Sequence, residues 1–388
     1  MKSKKLFPLS LLLNVLLLTG LFYIVSQTDF AAEAKKKYGP AGKEGTEIST
    51  IYSSSDKESI PESNLGITMD IQGESLVLAA TKPGKLSFDS LVENSVVVRS
   101  TYQRFNPESK VYIEGADYTV DYANGEISRT PDSSIPDYSK HVLYGKKDFD
   151  HREYPDYSNH SYFIWVDYAT KNGARLALPN DQSKYLSNSR QKLESGEPLS
   201  IVSYGNSITA GGEASSTDLR FQYLYGNYLK SIFPKAKVTI EDVSISGYSS
   251  SEGIKWWDTY IGKTSPDLVL VGWGMNDHNI GSNTPEQYKK NLIELVGMIK
   301  ERKNAEVIIY STFPPNHEWH YGSHSMELFA EAAKQAALEA NCAYVDVYST
   351  WMKVLERKDQ SSLLGNNINH PNDFGHWLYE QAFEAMSF

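Results

Sequence analysis

One cysteine, Cys342, is the entire thiol content of this 388-residue chain. A lone thiol excludes an intrachain disulfide and any zinc site built on cysteines. Positive charge is also scarce. Lys and Arg number 38 against 48 Asp and Glu, a formal net charge of −10, whereas a nucleic-acid partner favours a basic face. No nucleic acid is therefore expected as a partner. Disorder is excluded too, because 40% hydrophobic and 22% charged residues describe an ordinary globular body.

Long apolar runs are absent except at the start. Lys2, Lys4 and Lys5 precede an apolar run from Leu6 to about Val25. A basic stretch before such a run is an export signal, and its length approaches the ~20 residues that span a bilayer. The small-residue site Ala32-Glu33-Ala34 lies far beyond the run. The expectation is an uncleaved membrane anchor over residues 1–30 with the body outside, or a secreted protein if the segment is cleaved. Residues 31–64, rich in Lys, Glu, Ser and Gly, read as a flexible linker.

Beyond the linker two patterns follow each other. Residues 65–195 hold short alternating segments at 75–79, 95–99, 110–113, 118–122 and 162–168, with a hairpin signal at Asn124-Gly125 and no long helix. This predicts an all-β domain, a β-sandwich. A polar connector spans residues 182–198. From residue 196 to 388 strands and helices alternate. Near-continuous apolar runs at 199–204, 238–245, 267–274, 306–312 and 343–348 read as buried parallel strands. Phe221, Leu224, Tyr225, Tyr228, Leu229 and Ile232 share one helical face, as do Tyr288, Leu292, Leu295, Val296 and Ile299. Thr284, Pro285 and Gln287 form a capping-box start, and Ser325 and Asp373 are expected caps of later helices. The fold class is α/β with three layers, in which ligands bind at the carboxyl ends of the strands.

Those strand ends carry unusual residues. Gly205-Asn206-Ser207 follows the first strand, Ser246-Gly247-Tyr248 the second, and Gly274-Met275-Asn276-Asp277 the third. Each alone is compatible with a turn. The first is neither the Gly-x-Ser-x-Gly elbow, since Thr209 stands in the last position, nor a phosphate loop. Near the C-terminus, Asn367-Ile368-Asn369-His370-Pro371 places a histidine in a loop before the last helix. A base that takes a serine proton at neutral pH is best supplied by histidine.

Taken in order, Ser207, Gly247, Asn276 and His370 resemble the four name-giving residues of the SGNH, or GDSL-type, hydrolase superfamily, over residues 198–388. The resemblance extends to two-domain carbohydrate esterases with an N-terminal β-sandwich. It implies a flavodoxin-like α/β domain, no cofactor and no metal. It further implies a double-displacement ester hydrolysis, with Ser207 as nucleophile, His370 as base, and Ser207, Gly247 and Asn276 as the oxyanion hole.

Two departures stand out. The family's Gly-Asp-Ser is Gly205-Asn206-Ser207, and the Asp three residues before the histidine is Asn367. Asn367 is expected to orient His370 as a neutral partner, leaving a Ser–His dyad. Tyr248, Trp273 and Trp319 are candidate sugar-stacking faces. The cluster His317, His320 and His324 lacks the His-Glu-x-x-His spacing of a metal site and reads as a pocket rim. The resulting expectation is an exported acetylesterase acting on an acylated carbohydrate. A lipase or thioesterase, a polysaccharide O-acetyltransferase and a non-catalytic carbohydrate-binding protein are the alternatives.

Overall fold

The computed structural model describes residues 69–173, 175–279 and 283–388. The expected anchor at 1–30 and linker at 31–64 lie outside the described residues. Among the described residues no helix is long and apolar enough to cross a membrane.

Six strands come first: β1 (Met69–Leu76), β2 (Gly84–Lys85), β3 (Val97–Arg99), β4 (Tyr118–Asp121), β5 (Glu126–Arg129) and β6 (Ile164–Thr170). They pair into two antiparallel sheets, β1-β6-β3 and β2-β5-β4. Asn124-Gly125 makes the β4–β5 hairpin, as the sequence predicts. The expected strand at 110–113 is reduced to one bridge between Arg99 and Val111. Its alternation buries Tyr112 alone and leaves Val111 and Ile113 exposed, so little burial holds a longer strand there.

After the two-residue strand β7 (Asn180–Asp181), the connector read as polar loop contains helix α1 (Ser187–Ser195). Tertiary contacts explain the difference. The distant Glu306 carboxylate accepts from the N–H groups of Asn188 and Ser189, both at 2.8 Å, and so caps the helix start. Gly196, in the left-handed conformation, ends it, and Leu193 is buried beneath it.

The second half is a three-layer α/β arrangement. Strands β8 (Pro198–Gly205), β9 (Lys237–Asp242), β10 (Leu268–Gly272), β11 (Glu306–Tyr310) and β12 (Ala343–Val345) form one parallel sheet in the order β12-β11-β10-β8-β9. Numbered within the sheet this is 2-1-3-4-5, the flavodoxin-like doubly wound order. Every residue of β10 is buried, as a strand covered on both faces requires. Helix α2 (Phe221–Ile232) packs with the C-terminal helix Asp373–Glu384, with Phe221 and Tyr225 against Phe383. Pro285–Lys303 packs with Met326–Glu339 through Tyr288 and Phe329. The final strand, Met386–Ser387, pairs with β7.

Three helix starts differ in detail from the sequence reading. Thr284 accepts from the Gln287 N–H, but the Gln287 side chain turns to Asn291 rather than closing the box. Ser325 precedes its helix without a side-chain cap, its hydroxyl meeting Ser323 instead. Asn372 caps the last helix by accepting from the Gly375 N–H, whereas Asp373 accepts from the Ser215 N–H at 2.8 Å. Residues Leu65–Phe388 form one compact unit, in which the antiparallel and parallel parts share a continuous buried apolar cluster.

Candidate active site

The strand order reverses between β8 and β10, opening a crevice at their carboxyl ends. Gly205 and Gly272 pair across it. A Cβ on Gly205 would stand 2.1 Å from Thr209 Oγ1 and 2.2 Å from the Gly272 carbonyl, so only glycine permits this turn. Asn206 then folds its side-chain oxygen onto the Ile208 N–H at 3.0 Å. Ser207 follows, partly buried, at the start of that turn.

His370 reaches the serine from the loop before the last helix. Its Nε2 lies 2.7 Å from Ser207 Oγ. Burial pushes the His370 imidazole below the usual histidine range, opposed by the negative charge of Glu213. Gly247, with φ of 80° and open space beside its Cα, occupies the turn after β9. Asn276, on the short helix after β10, donates to the Tyr248 carbonyl at 2.9 Å, tying the second and third turns together. Beneath it, the buried Asp277 carboxylate accepts from the N–H groups of Ser250 and Gly274 and from Asn283. This set of groups can place a hydroxyl, a base and polar donors around one carbonyl.

The position of the histidine's neighbour is corrected. Asn367 does not meet His370. It sits at φ of 56°, and its carbonyl and amide oxygens both accept from Asn316 Nδ2, at 2.8 and 3.3 Å. The left-handed backbone at Asn367 turns that side chain out of the crevice. Asn366 takes the place instead, with its Nδ2 2.6 Å from His370 Nδ1.

Two of the three expected stacking residues are also corrected. Trp273 is 1% exposed and stands edge-on to Tyr204 inside the core. Trp319 is 7% exposed, packs with Leu143, Phe149 and Ile368, and donates to His151 Nδ1 at 3.0 Å. Neither presents a face to a ligand. Tyr248 is partly buried at the turn beside Gly247. The loop of His317, His320 and His324 backs the histidine loop from outside, through Asn316 N–H to the Ile368 carbonyl at 2.7 Å. Among the described residues, no cluster of His, Cys, Asp or Glu could hold a metal ion.

Sequence reasoning passed over three contributors from elsewhere. Asn159, wholly buried, donates its side chain to the carbonyls of Ser361 and Leu364, both at 3.0 Å, and its N–H to the Gly365 carbonyl at 2.8 Å. It thereby fixes the histidine loop from the N-terminal half. Beside it, His160 pairs with Glu213. That hydrogen bond raises the His160 pKa and lowers that of Glu213, whose charge His370 feels. No local motif marks these residues; the left-handed φ of 66° at Glu213 belongs to the backbone, not to the sequence.

Residues 203–378 match the family model described as "GDSL-like Lipase/Acylhydrolase family". An arylesterase of Vibrio mimicus is 26% identical over 102 residues, 26% of this chain. The chain spans about half, 50%, of the length of that curated relative. Among solved structures, a two-domain esterase active on acetylated mannans, co-crystallised with mannopentaose, aligns at a TM-score of 0.44 with 21% identity, covering 54% of this chain and 55% of that one. An acetylxylan esterase from Geobacillus stearothermophilus aligns at 0.41 with 21% identity, covering 48% and 92%. The four motif positions thus stand at the switch point of a 2-1-3-4-5 sheet, within the residues 203–378 that match the GDSL-like lipase/acylhydrolase family model.

Proposed function

We propose that this chain is an exported serine esterase that removes O-acetyl groups from a carbohydrate. The observation that carries the reading is the 2.7 Å contact of Ser207 Oγ with His370 Nε2 at the strand switch point. His370 takes the hydroxyl proton as Ser207 attacks the acyl carbonyl. The N–H groups of Ser207 and Gly247 and the Asn276 amide receive the oxyanion. The sugar alcohol leaves with the proton from His370, and water then releases acetate from the acyl-enzyme.

The surroundings favour a short acyl group on a polar alcohol. Gly212, Gly247, Asn276, Glu213 and His160 are small or polar, whereas a lipase or long-chain thioesterase needs an apolar channel for its acyl tail. The basic-then-apolar segment at residues 2–25 supports export, with the segment as membrane anchor. Purified protein incubated with acetylated polysaccharides should release acetate, and Ser207→Ala should not. Equal release by both proteins would overturn the hydrolase reading.

A further inference from the structure

We propose that Asn366 is a positioning residue that holds neutral His370 with its proton on Nε2, so that the resting histidine faces Ser207 as a donor. The proposal rests on the Ser207–His370 reading. Asn366 Oδ1 accepts from the backbone N–H groups of Ile368, Asn369 and His370, each at 3.0 Å. Three donors converging on one atom identify it as the oxygen. The amide nitrogen is therefore the group that meets Asn369 Oδ1 at 3.1 Å and His370 Nδ1 at 2.6 Å.

An amide nitrogen offers only N–H. Nδ1 consequently accepts and carries no proton, and the proton of the neutral ring sits on Nε2, 2.7 Å from Ser207 Oγ. In that state Nε2 has no lone pair for the serine proton. Turning the amide over would set its NH2 against three backbone donors to relieve one contact. For His370 to act as base, the Nε2 proton must leave to solvent and another must arrive at Nδ1, where it meets the Asn366 NH2. The imidazolium formed during attack meets the same opposition. A carboxylate at position 366 reverses this: one oxygen keeps the three backbone donors, and the other accepts from Nδ1–H.

The test is a pair of measurements on the whole soluble body, residues 65–388, which form one compact unit. Nitrogen NMR of the histidine rings, with the His370 signals identified by their loss in His370→Ala, should show Nδ1 unprotonated and Nε2 protonated at pH 7.5. Asn366→Asp should exchange the two and raise kcat on a chromogenic acetate on the order of 100-fold with KM unchanged, within the roughly 10⁴-fold that the opposite Asp-to-Asn change costs a serine protease. A protonated Nδ1 in the wild-type protein overturns the proposal, as does an exchanged tautomer without a gain in kcat. If Asn366→Asp does not fold, the wild-type spectrum decides alone. Undiminished turnover in Ser207→Ala would instead remove the hydrolase reading, and the spectrum would still decide the tautomer.

Discussion

The Lys358 ammonium lies 2.7 Å from the Glu74 carboxylate, and both side chains are completely buried. Glu74 also accepts from the Ser87 N–H at 2.7 Å, the Ser87 hydroxyl at 2.9 Å and the Tyr168 hydroxyl at 2.6 Å. Strand β1 is thus joined to the segment that leads into the histidine loop. Lys358→Met leaves a buried carboxylate without its counter-charge and should lower stability by about 3–5 kcal/mol. Urea unfolding measures this. Adding Glu74→Gln should recover part of the loss, because the uncompensated charge is then gone.

A Cβ at Gly212 would stand 2.8 Å from His370 Cδ2 and 3.0 Å from the Ser207 carbonyl. Gly212→Ala should therefore displace the imidazole while leaving the buried core untouched. The expected result is a fall in kcat of about 100-fold, the scale of a 1 Å misplacement, with little change in unfolding midpoint. Steady-state kinetics and urea melts on the same sample test it.

Asn276→Ala removes the side-chain donor expected at the oxyanion. The loss should appear in kcat, about 10²–10³-fold, with KM nearly constant. A rise in KM at unchanged kcat would show instead that Asn276 binds substrate.

Catalysis through His370 needs the neutral ring. Because burial lowers its pKa, the acid limb of kcat/KM should lie below the ordinary histidine value of about 6.5. Glu213→Gln removes the charge that opposes this shift, and the limb should move lower still. A pH–rate profile of both proteins reads the difference.

Stability should fall in the same acidic range for a different histidine. His376 is completely buried; burial lowers its pKa to about 4, although its contact with the Gly212 carbonyl opposes the shift. Between about pH 6.5 and 4 the unfolded chain binds a proton there that the folded chain does not. Unfolding free energy should therefore decline as pH falls through that window, by about 3 kcal/mol from this residue. Urea midpoints from pH 7 to 4.5 should show the slope, and His376→Phe should flatten it.

The sequence by itself determined where the chemistry stands along the chain. Gly205-Asn206-Ser207 and Asn276 follow apolar runs that form buried strands, and Gly247 follows β9, which was expected to be buried but lies at the sheet edge with Val238 alone buried; a parallel sheet delivers all three strand ends to one edge. His370 was legible as a loop residue before the last helix for a similarly local reason. Local periodicity likewise located the five parallel strands and the hairpin at Asn124-Gly125. It missed the helix Ser187–Ser195, whose start is capped by Glu306, more than 110 residues away.

What only the tertiary structure decided is which neighbours complete the site. With a left-handed backbone at Asn367, the expected partner of His370 meets the buried Asn316 instead, and Asn366 stands in its place. Packing, not composition, took Trp273 and Trp319 out of the pocket and into the interior. Asn159, His160 and Glu213 reached the histidine loop across long stretches of chain. Spacing along a sequence encodes the period of a strand or helix, but not the sign of one φ angle or the meeting of distant loops.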